Sequence, residues 1–241
     1  MTEKLRLDKL LSHMGLGSRK DVRTFMKQGL VTVNGQTIKK PEYPIDPTID
    51  RITCCGKNVF YEPFTYLMMN KPAGYVSATE DAHDPTVMTL LPDPYAHMEL
   101  FIAGRLDKDT EGFLFITNDG AFAHNILAPQ KHVPKTYYAQ IDAPLDNRAI
   151  QAFAHGLTLS DGTTCRPAKL HILKAGNPSE ITLTITEGKF HQIKRMFEAI
   201  GNNVLYLKRT HIGRLALDDT LAPGQIKKLT AADLALLSAP F

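Results

Sequence analysis

Apolar residues near the start of the chain recur at helical spacing and then switch to the alternation of strands. Leu5, Leu7, Leu10 and Leu11 stand among charged residues, which predicts a short amphipathic helix over 5–13. Two glycines interrupt this pattern, and a second helical pattern follows them. A strand and a turn signal come next, so the N-terminal segment is predicted to form two helices and a hairpin.

The second helix is predicted over residues 19–28 and carries a basic face. Ser18 is suited to the N-cap position, and Asp21 stands three residues later, as in a capping box. The basic residues of this helix are Arg19, Lys20, Arg23 and Lys27. Arg19, Arg23 and Lys27 share one face, because they are spaced at i, i+4 and i+8.

A strand over 30–33 runs into Asn34-Gly35, a strong signal for a two-residue hairpin. Residues 40–64 are rich in proline and are predicted to be irregular. We place a domain boundary near their end, with a small domain over 1–60 and a larger one over 61–241.

The larger part has more strand patterns than helix patterns. Residues 113–116 predict a buried strand, and 181–187 alternate as a one-sided strand does. Because strands outnumber helices and do not alternate regularly with them, we predict an α+β fold with a mixed, largely antiparallel sheet flanked by helices. The other predicted elements are strand, turn and strand over 66–77, helices over 87–91, 122–127 and 189–200, and a strand over 135–141.

Composition narrows the class of protein. The chain has 241 residues, 43% hydrophobic and 22% charged, and no apolar stretch of membrane-spanning length. Its first residues, MTEKLRLDKLL, lack the apolar core of a secretory signal, so we expect a cytoplasmic protein with no membrane partner. Cys54, Cys55 and Cys165 fit neither a disulfide framework nor a metal knuckle, and the common nucleotide and hydrolase motifs are absent. We expect a monomer without metal or cofactor.

Charge is distributed unevenly along the chain. Residues 1–60 hold 11 Lys/Arg and 6 Asp/Glu, a net charge of +5, whereas residues 61–241 hold 17 and 19, a net charge of −2. A basic terminal segment is typical of an arm that contacts a polyanion. An ordinary solvated surface accounts for the same excess.

The loop GRLDKDTEG at 104–112 concentrates charged side chains directly before a predicted strand. Three interpretations are open: a solvated turn, a calcium loop and a catalytic aspartate. Asp107, Asp109 and Glu111 match the first ligand positions of a calcium loop, but Asn118 stands where the closing glutamate is required. The other motifs of the chain favour the catalytic aspartate.

The segment LRLDKLLSHMGLGSRKDVRTFMKQGLVTVNGQ resembles the small RNA-binding module named after a small-subunit ribosomal protein. The resemblance covers about the first 60 residues. It implies that the helices and the hairpin present the basic residues of the second helix to RNA phosphates.

Three further segments occur together: NKPAGYVS (70–77), GRLDKDTEGFLFITNDG (104–120) and EGKFHQIKRMF (187–197). KTYY (135–138) lies between the last two. In combination they closely resemble the bacterial rRNA pseudouridine synthases of the branch that acts on small-subunit rRNA and on some large-subunit sites. An RNA-binding module like the one above is this family's usual N-terminal attachment.

By this resemblance Asp107 is the catalytic aspartate, acting as a nucleophile or as a base. It must be ionised at neutral pH, and the family's motif puts the stabilising cation at Lys194. Tyr137 matches the active-site tyrosine, which stacks on an extruded base, whereas Tyr138 points to the other face of the strand and packs. We take His191 as a structural residue at a helix start.

The resemblance also implies contacts with the substrate. Arg105 fills the space that a flipped base vacates or clamps a phosphate, and Ile193 forms an apolar wall behind the base. Arg195 and Arg209 are either phosphate contacts or ordinary surface charges. Lys71 is either a turn residue or a residue close to the RNA.

These motifs predict that the protein isomerises a single uridine of ribosomal RNA to pseudouridine. The implied target is uridine 516 of 16S rRNA, with a large-subunit uridine as the alternative. The partner is ribosomal RNA, either free or in an assembling small subunit. The rival from another class is a non-catalytic RNA-binding or ribosome-assembly factor, and the presence of Asp107, Tyr137 and Lys194 argues against it.

Overall fold

The computed structural model describes residues 4–238 of the chain. Within these residues the chain forms two compact units. The first unit runs to Thr65 and also includes Met88–Leu100, and the second comprises Tyr66–Val87 and the chain from Phe101 onward. No sequence pattern indicated that residues 88–100 belong with the N-terminal part.

The first unit combines two helices with short antiparallel strands. Its elements are β1 (Leu5–Arg6), α1 (Leu7–His13), α2 (Arg19–Lys27), β2 (Val31–Val33), β3 (Gln36–Thr37), β4 (Pro44–Ile45), β5 (Ile52–Cys54), β6 (Lys57–Val59) and a 3-10 turn at Tyr95–His97. Four strands pair in the order β3-β2-β5-β6, and β1 pairs with β4. The predicted helices and hairpin are confirmed, although the first helix begins at Leu7, because Leu5 and Arg6 form a strand.

The capping box predicted for α2 is confirmed. The Asp21 backbone N–H donates to Ser18 Oγ at 3.3 Å, and the Ser18 backbone N–H donates to Asp21 Oδ2 at 3.0 Å. These two bonds satisfy donors that a helix start otherwise leaves unpaired. Val22 and Met26 of the same helix are fully buried, so the side of α2 that carries them packs into the core of this unit.

The prediction that residues 40–64 are irregular is wrong, because β4, β5 and β6 lie there. Strands of two or three residues are too short to show alternation. Two of them pair with segments distant in the chain, β4 with β1 and β5 with β2, whereas β6 pairs with the neighbouring β5. Pro44 is tolerated because it lies in a two-stranded ribbon.

The second unit is built on one large sheet. Its elements are β7 (Tyr66–Lys71), β8 (Phe101–Ala103), β9 (Glu111–Thr117), α3 (Gly120–Leu127), a 3-10 turn at Pro129–Lys131, β10 (Lys135–Ile141), α4 (Asn147–His155), β11 (Lys169–Lys174), β12 (Ser179–Ile185), α5 (Gln192–Glu198), β13 (Val204–Ile212), β14 (Leu215–Ala216), β15 (Ile226–Lys228) and α6 (Ala231–Ser238). A further 3-10 turn, Val87–Leu90, begins in this unit and ends in the first. None of the helices within residues 4–238 is long and apolar enough to cross a lipid bilayer.

The main path of this sheet runs β11-β12-β10-β13-β9-β7-β15, with β14 added to β13 and β8 to β9. The pair of β9 and β13 is parallel, and the other pairings of the sheet are antiparallel. This arrangement confirms the α+β fold with a mixed, largely antiparallel sheet. Residues 113–116 are fully buried in β9, as the continuous apolar run predicts.

Two predicted elements of this unit differ from the structure. Residues 75–77 make one isolated bridge, from Val76 to Thr86, and no second strand. The Ser77 side chain bonds instead to the backbone of the charged loop, as described below. The last predicted helix begins at Gln192, because His191 has a left-handed backbone with φ 46°.

Candidate active site

A cavity of about 760 Å³ opens in the second unit, where the loop over 104–110 meets the strand β10 and the segment before α5. Asp107, Tyr137, Ile193 and Lys194 line it. These residues come from three separate stretches of the chain. The fold therefore brings together the side chains that the motifs singled out.

The position of the charged loop depends on the close parallel pairing of β9 with β13. Gly112 begins the buried part of β9 with φ +98°, and a Cβ atom there would lie 2.3 Å from the backbone oxygen of Arg209. A side chain is thus excluded by space and by backbone conformation. The glycine that closes the loop motif is required by the strand contact.

Arg209 fastens both ends of this loop. Its side chain is buried, with Nε donating to the Phe113 carbonyl at 2.7 Å and Nη2 donating to the Gly104 carbonyl at 2.7 Å. A guanidinium committed to these carbonyls is not a surface charge. The prediction of a phosphate contact at Arg209 is therefore wrong, and its role is to hold the loop.

Lys71, at the end of β7, also holds the loop in place. The side chain is fully buried, and Nζ donates to the carbonyls of Pro72, Lys108 and Thr110 at 3.0, 3.2 and 2.8 Å. Burial lowers the pKa of Lys71 to about 8. The predicted contact with RNA is wrong, because the ammonium is enclosed and all three of its donors are in use.

Ser77 adds a third attachment from the NKPAGYVS segment. Its hydroxyl donates to the Leu106 carbonyl at 2.8 Å and accepts from the Leu106 N–H at 3.1 Å. Leu106 directly precedes Asp107, so the backbone of the candidate catalytic residue is fixed from both sides. Side chains held in this way keep a defined geometry, as catalysis requires.

Asp107 is partly exposed to the cavity and lies near two basic groups. Its carboxylate is 30% exposed, with Oδ1 3.6 Å from His191 Nε2 and Oδ2 4.0 Å from Lys194 Nζ. Lys194 is closer to Asp109, with Nζ 2.7 and 2.6 Å from the two carboxylate oxygens. The ammonium therefore bridges two carboxylates and makes its direct hydrogen bonds to Asp109.

The pKa of Asp109 reflects this arrangement. Partial burial acts to raise the pKa of Asp109, but the hydrogen bond and charge of Lys194 outweigh it, and the net shift is downward. Asp109 is thus an ionised anchor for Lys194. From the motif we expect Asp109 and Glu111 to be acceptors that organise the loop and not a second catalytic carboxylate, and the bonds of Asp109 to Lys194 agree with this.

His191 was taken as a structural residue at a helix start. It does occupy the N-cap position of α5, but its side chain makes no capping bond there. The imidazole faces Asp107 instead. The motif HQIKRM contains this residue, so its place in the resemblance is the signal by which sequence reasoning could have found it.

Tyr137 and Ile193 both face the cavity and are largely buried, at 7% and 4% exposure. Tyr138 lies on the other face of β10, where its hydroxyl donates to Glu180 Oε2 at 2.9 Å. The alternation of a strand accounts for this difference. The predicted packing role of Tyr138 agrees with its contacts.

The two predicted arginine contacts differ in their surroundings. Arg105 is exposed and lines the cavity. Arg195 is half-buried, and its Nη2 lies 2.5 Å from Asp161 Oδ2. A phosphate would compete with Asp161 for this guanidinium, so a phosphate contact at Arg195 stays a prediction.

Sequence reasoning also missed Lys135, the first residue of KTYY. Its side chain is buried at the cavity wall, with Nζ donating to the Val133 carbonyl at 3.0 Å. Burial, with a smaller contribution from the charge of Arg209, lowers the pKa of Lys135 to about 8. The cavity therefore has cationic groups in its wall as well as at its rim.

In the first unit, the basic residues of α2 point to solvent. The exposed side chains are Arg19, Lys20, Arg23 and Lys27. Arg23 also lies 3.4 Å from the buried carboxylate of Asp8, which Arg6 holds at 2.9 Å. Burial acts to raise the pKa of Asp8, but these two arginines outweigh it and lower the pKa.

Comparisons with known families match both units. Residues 65–199 match the family described as RNA pseudouridylate synthase. Residues 5–48 match the S4 domain. The first match includes the loop, Tyr137 and the segment before α5.

Relatives and a solved structure match nearly the whole chain. An uncharacterized RNA pseudouridine synthase of Bacillus subtilis, YtzG, is 48% identical, covering 98% of this chain and 99% of its own. Ribosomal small subunit pseudouridine synthase A of Escherichia coli is 36% identical, covering 96% and 99%. A crystal structure of a pseudouridylate synthase matches with a TM-score of 0.68 and 35% identity, covering 97% and 99%. The chain therefore belongs to the RNA pseudouridine synthase family and carries an S4 domain at its N-terminus.

Proposed function

We propose that this enzyme converts one uridine of small-subunit ribosomal RNA to pseudouridine, and that the target is uridine 516 of 16S rRNA. The relatives named ribosomal small subunit pseudouridine synthase A support the choice of RNA, since they align over almost their full length at 36% to 40% identity. The substrate is ribosomal RNA, either free or in an assembling small subunit. The enzyme acts as a monomer in the cytoplasm.

One observation carries the catalytic proposal. The carboxylate of Asp107 lines a large cavity, with His191 and Lys194 within 4.0 Å of its oxygens. In the reaction, the bond from C1′ to N1 of the base breaks, the base rotates, and a bond from C1′ to C5 forms. The C5 proton moves to N1, so atoms balance without a redox partner. Asp107 is the nucleophile or base of this sequence.

The neighbours of Asp107 take supporting roles. Lys194 and His191 lie beside its carboxylate, at 4.0 and 3.6 Å from its two oxygens, and help to position it. Tyr137 stacks on the extruded base, and Ile193 closes the cavity behind it. Arg105 is exposed at the cavity and occupies the space that the flipped base leaves, or holds a phosphate beside it.

We propose that residues 1–60 form the RNA-binding domain and that residues 61–241 form the catalytic domain. Exposed basic side chains on α2 support RNA binding by the first domain. Phosphate contacts of this kind are independent of base sequence. The choice of uridine therefore falls to the catalytic domain.

The test is to map pseudouridines in ribosomal RNA from cells with and without the gene. We expect one site to disappear, at uridine 516 of 16S rRNA, and to return when the intact gene is restored but not when Asp107→Asn is supplied. Loss of a 23S site instead would assign the enzyme to the large subunit. An unchanged rRNA map would contradict the proposed function.

A further inference from the structure

We propose that Phe190 stacks on the base of the nucleotide next to the target uridine, so that the cavity rim carries a second base-binding surface. This inference rests on the proposed function, because it requires an RNA with one uridine drawn into the cavity. The proposed contact is with the nucleotide adjacent to the target uridine, and it is additional to the contacts of the target itself. The residues that carry it are Phe190 and His191.

Phe190 is unusual among the large apolar side chains that line the cavity. It is 76% exposed, against 36% for Leu127 and 7% or less for Leu106, Tyr137, Ile193 and Leu207. A phenylalanine ring in water forgoes the stabilisation that burial provides. An exposed ring at the mouth of a functional cavity therefore points to a ligand that covers it.

The ring is held in a fixed plane. Its centroid lies 3.8 Å from that of the His191 ring, and the two planes differ by 17°. The left-handed backbone of His191 places both rings directly before α5. One face of Phe190 is thus supported by the imidazole, and the exposed area remains for a planar partner.

The Phe190 ring is close to Asp107, the residue proposed to react. His191 lies between them, since its Nε2 is 3.6 Å from Asp107 Oδ1 and its ring stacks on that of Phe190. When a uridine leaves its stack to reach Asp107, the base beside it loses a stacking partner. The Phe190 ring is close enough to the cavity to replace that partner.

Charge favours RNA over a protein as the occupant. The lining of the cavity contains the carboxylates of Asp107 and Glu187 among a larger set of Lys and Arg side chains. That set is Arg105, Lys108, Lys135, Lys189 and Lys194, whereas the Arg209 guanidinium in the same lining is bound to loop carbonyls. An aromatic ring among cationic groups is the usual combination for binding single-stranded nucleic acid.

The experiment couples changes in the protein with changes in the RNA. The probe is a short RNA that carries uridine 516 of 16S rRNA with its natural neighbours, or the uridine that rRNA mapping identifies. Two further RNAs have an abasic nucleotide on the 5′ or the 3′ side of the target. Kd, KM and kcat are measured for the full-length protein and for Phe190→Ala, Phe190→Leu and Phe190→Tyr. Leu173→Ala, an exposed apolar residue on β11 outside the cavity lining, is the matched control.

We expect Phe190→Ala to raise Kd and KM roughly 5- to 100-fold on the intact RNA, with a smaller change in kcat. Phe190→Tyr keeps the wild-type values, Phe190→Leu resembles Phe190→Ala, and Leu173→Ala has no effect. For one of the two abasic RNAs, the wild type should bind more weakly than it binds the intact RNA, by a similar factor. Phe190→Ala should not weaken binding to that abasic RNA any further. That loss of additivity identifies the stacked nucleotide.

Additive effects at both abasic positions would overturn the proposal, as would wild-type affinity of Phe190→Leu. A Kd unchanged by Phe190→Ala on every RNA would assign the ring to a protein partner instead. These outcomes are distinct from failure of the proposed function, which is tested by pseudouridine formation by the wild type. The binding measurements remain decisive whether or not turnover is seen.

Discussion

At the scale of the residue, Asp107 and Asp109 have the same side chain but different surroundings. Asp107 lines the cavity and is 30% exposed, whereas Asp109 is 69% exposed and makes the direct hydrogen bonds to Lys194. Their spacing in sequence matches the first ligand positions of a calcium loop, an interpretation that Asn118 disfavours. The structure separates them into a group that faces the cavity and a group that anchors a cation.

We predict that Asp107→Asn lowers kcat by roughly 10⁴-fold or more, because an amide neither attacks a carbon nor accepts a proton. The Kd for RNA should change less than about threefold, since phosphate contacts dominate affinity. Asp109→Asn is the matched control and should retain measurable turnover. Substantial turnover by Asp107→Asn would remove this residue from the mechanism.

Lys71 provides a prediction about stability and pH. Burial lowers its pKa to about 8 in the folded protein, against about 10.4 in an unfolded chain. Between these values the unfolded state binds more protons, so the free energy of unfolding rises with pH. Between about pH 8 and about pH 10.4, the free energy of unfolding of the wild type should therefore rise by about 1 kcal/mol per pH unit relative to that of Lys71→Met.

Denaturant unfolding at several pH values measures this difference. The exposed Lys169 on β11 serves as the control, and Lys169→Met should differ from the wild type by a constant amount across the same range. A constant difference for Lys71→Met as well would show that burial does not shift this ammonium.

At the scale of the element, the position of the charged loop over 104–110 is determined by the strands beside it. Arg209 reaches from β13 to the carbonyls at both loop ends, and Lys71 reaches from the end of β7 to the carbonyls within it. Each contact joins segments that are far apart in sequence. The loop is therefore rigid because the sheet is formed, and its own residues do not suffice.

We predict that Gly112→Ala destabilises the protein by at least about 3 kcal/mol, since a β-carbon would meet backbone in a left-handed conformation. A Cβ at Gly120 meets nothing within 4 Å, so Gly120→Ala, at the start of α3, should be neutral or slightly stabilising. Thermal unfolding and turnover measure both variants. A Gly112→Ala protein as stable as Gly120→Ala would show that β9 and β13 separate easily.

At the scale of the whole molecule, the excess of basic residues lies in the first 60 residues of the chain. The first 60 residues carry a net charge of +5, and the remainder carries −2. The exposed basic residues of α2 belong to the first unit. The exposed basic face of α2 is therefore in the first unit, and the cavity lined by Asp107 is in the second.

We predict that replacing the four basic residues of α2 with glutamine weakens RNA binding and flattens its salt dependence. The slope of log Kd against log salt should fall by about 2 to 3, as expected when up to four phosphate contacts are lost. The four residues are Arg19, Lys20, Arg23 and Lys27.

The control removes the same charge from the same unit at other exposed positions. These positions are Lys39, Lys40, Arg51 and Lys57. We expect this variant to keep most of the wild-type slope, because α2 carries the phosphate contacts. Equal slopes for the two variants would mean that only net charge matters and that α2 is not a specific binding face.

The sequence by itself determined the local elements and the class of fold. Ser18 and Asp21 specify the start of α2, and the alternation over 135–141 specifies β10, because caps and one-sided strands depend on neighbours in the chain. The motifs also identified Asp107, Tyr137, Ile193 and Lys194, which line the cavity. Short strands such as β4 escaped detection, since their partners lie elsewhere in the chain.

Only the tertiary structure decided what the basic residues near the loop do. Lys71 and Arg209 are charged in sequence like any surface cation, yet both are buried and bound to carbonyls of the loop. His191 faces Asp107 because a left-handed residue turns it away from its own helix. A charge acquires its role from the solvent and partners around it, and these are assembled only when distant segments meet.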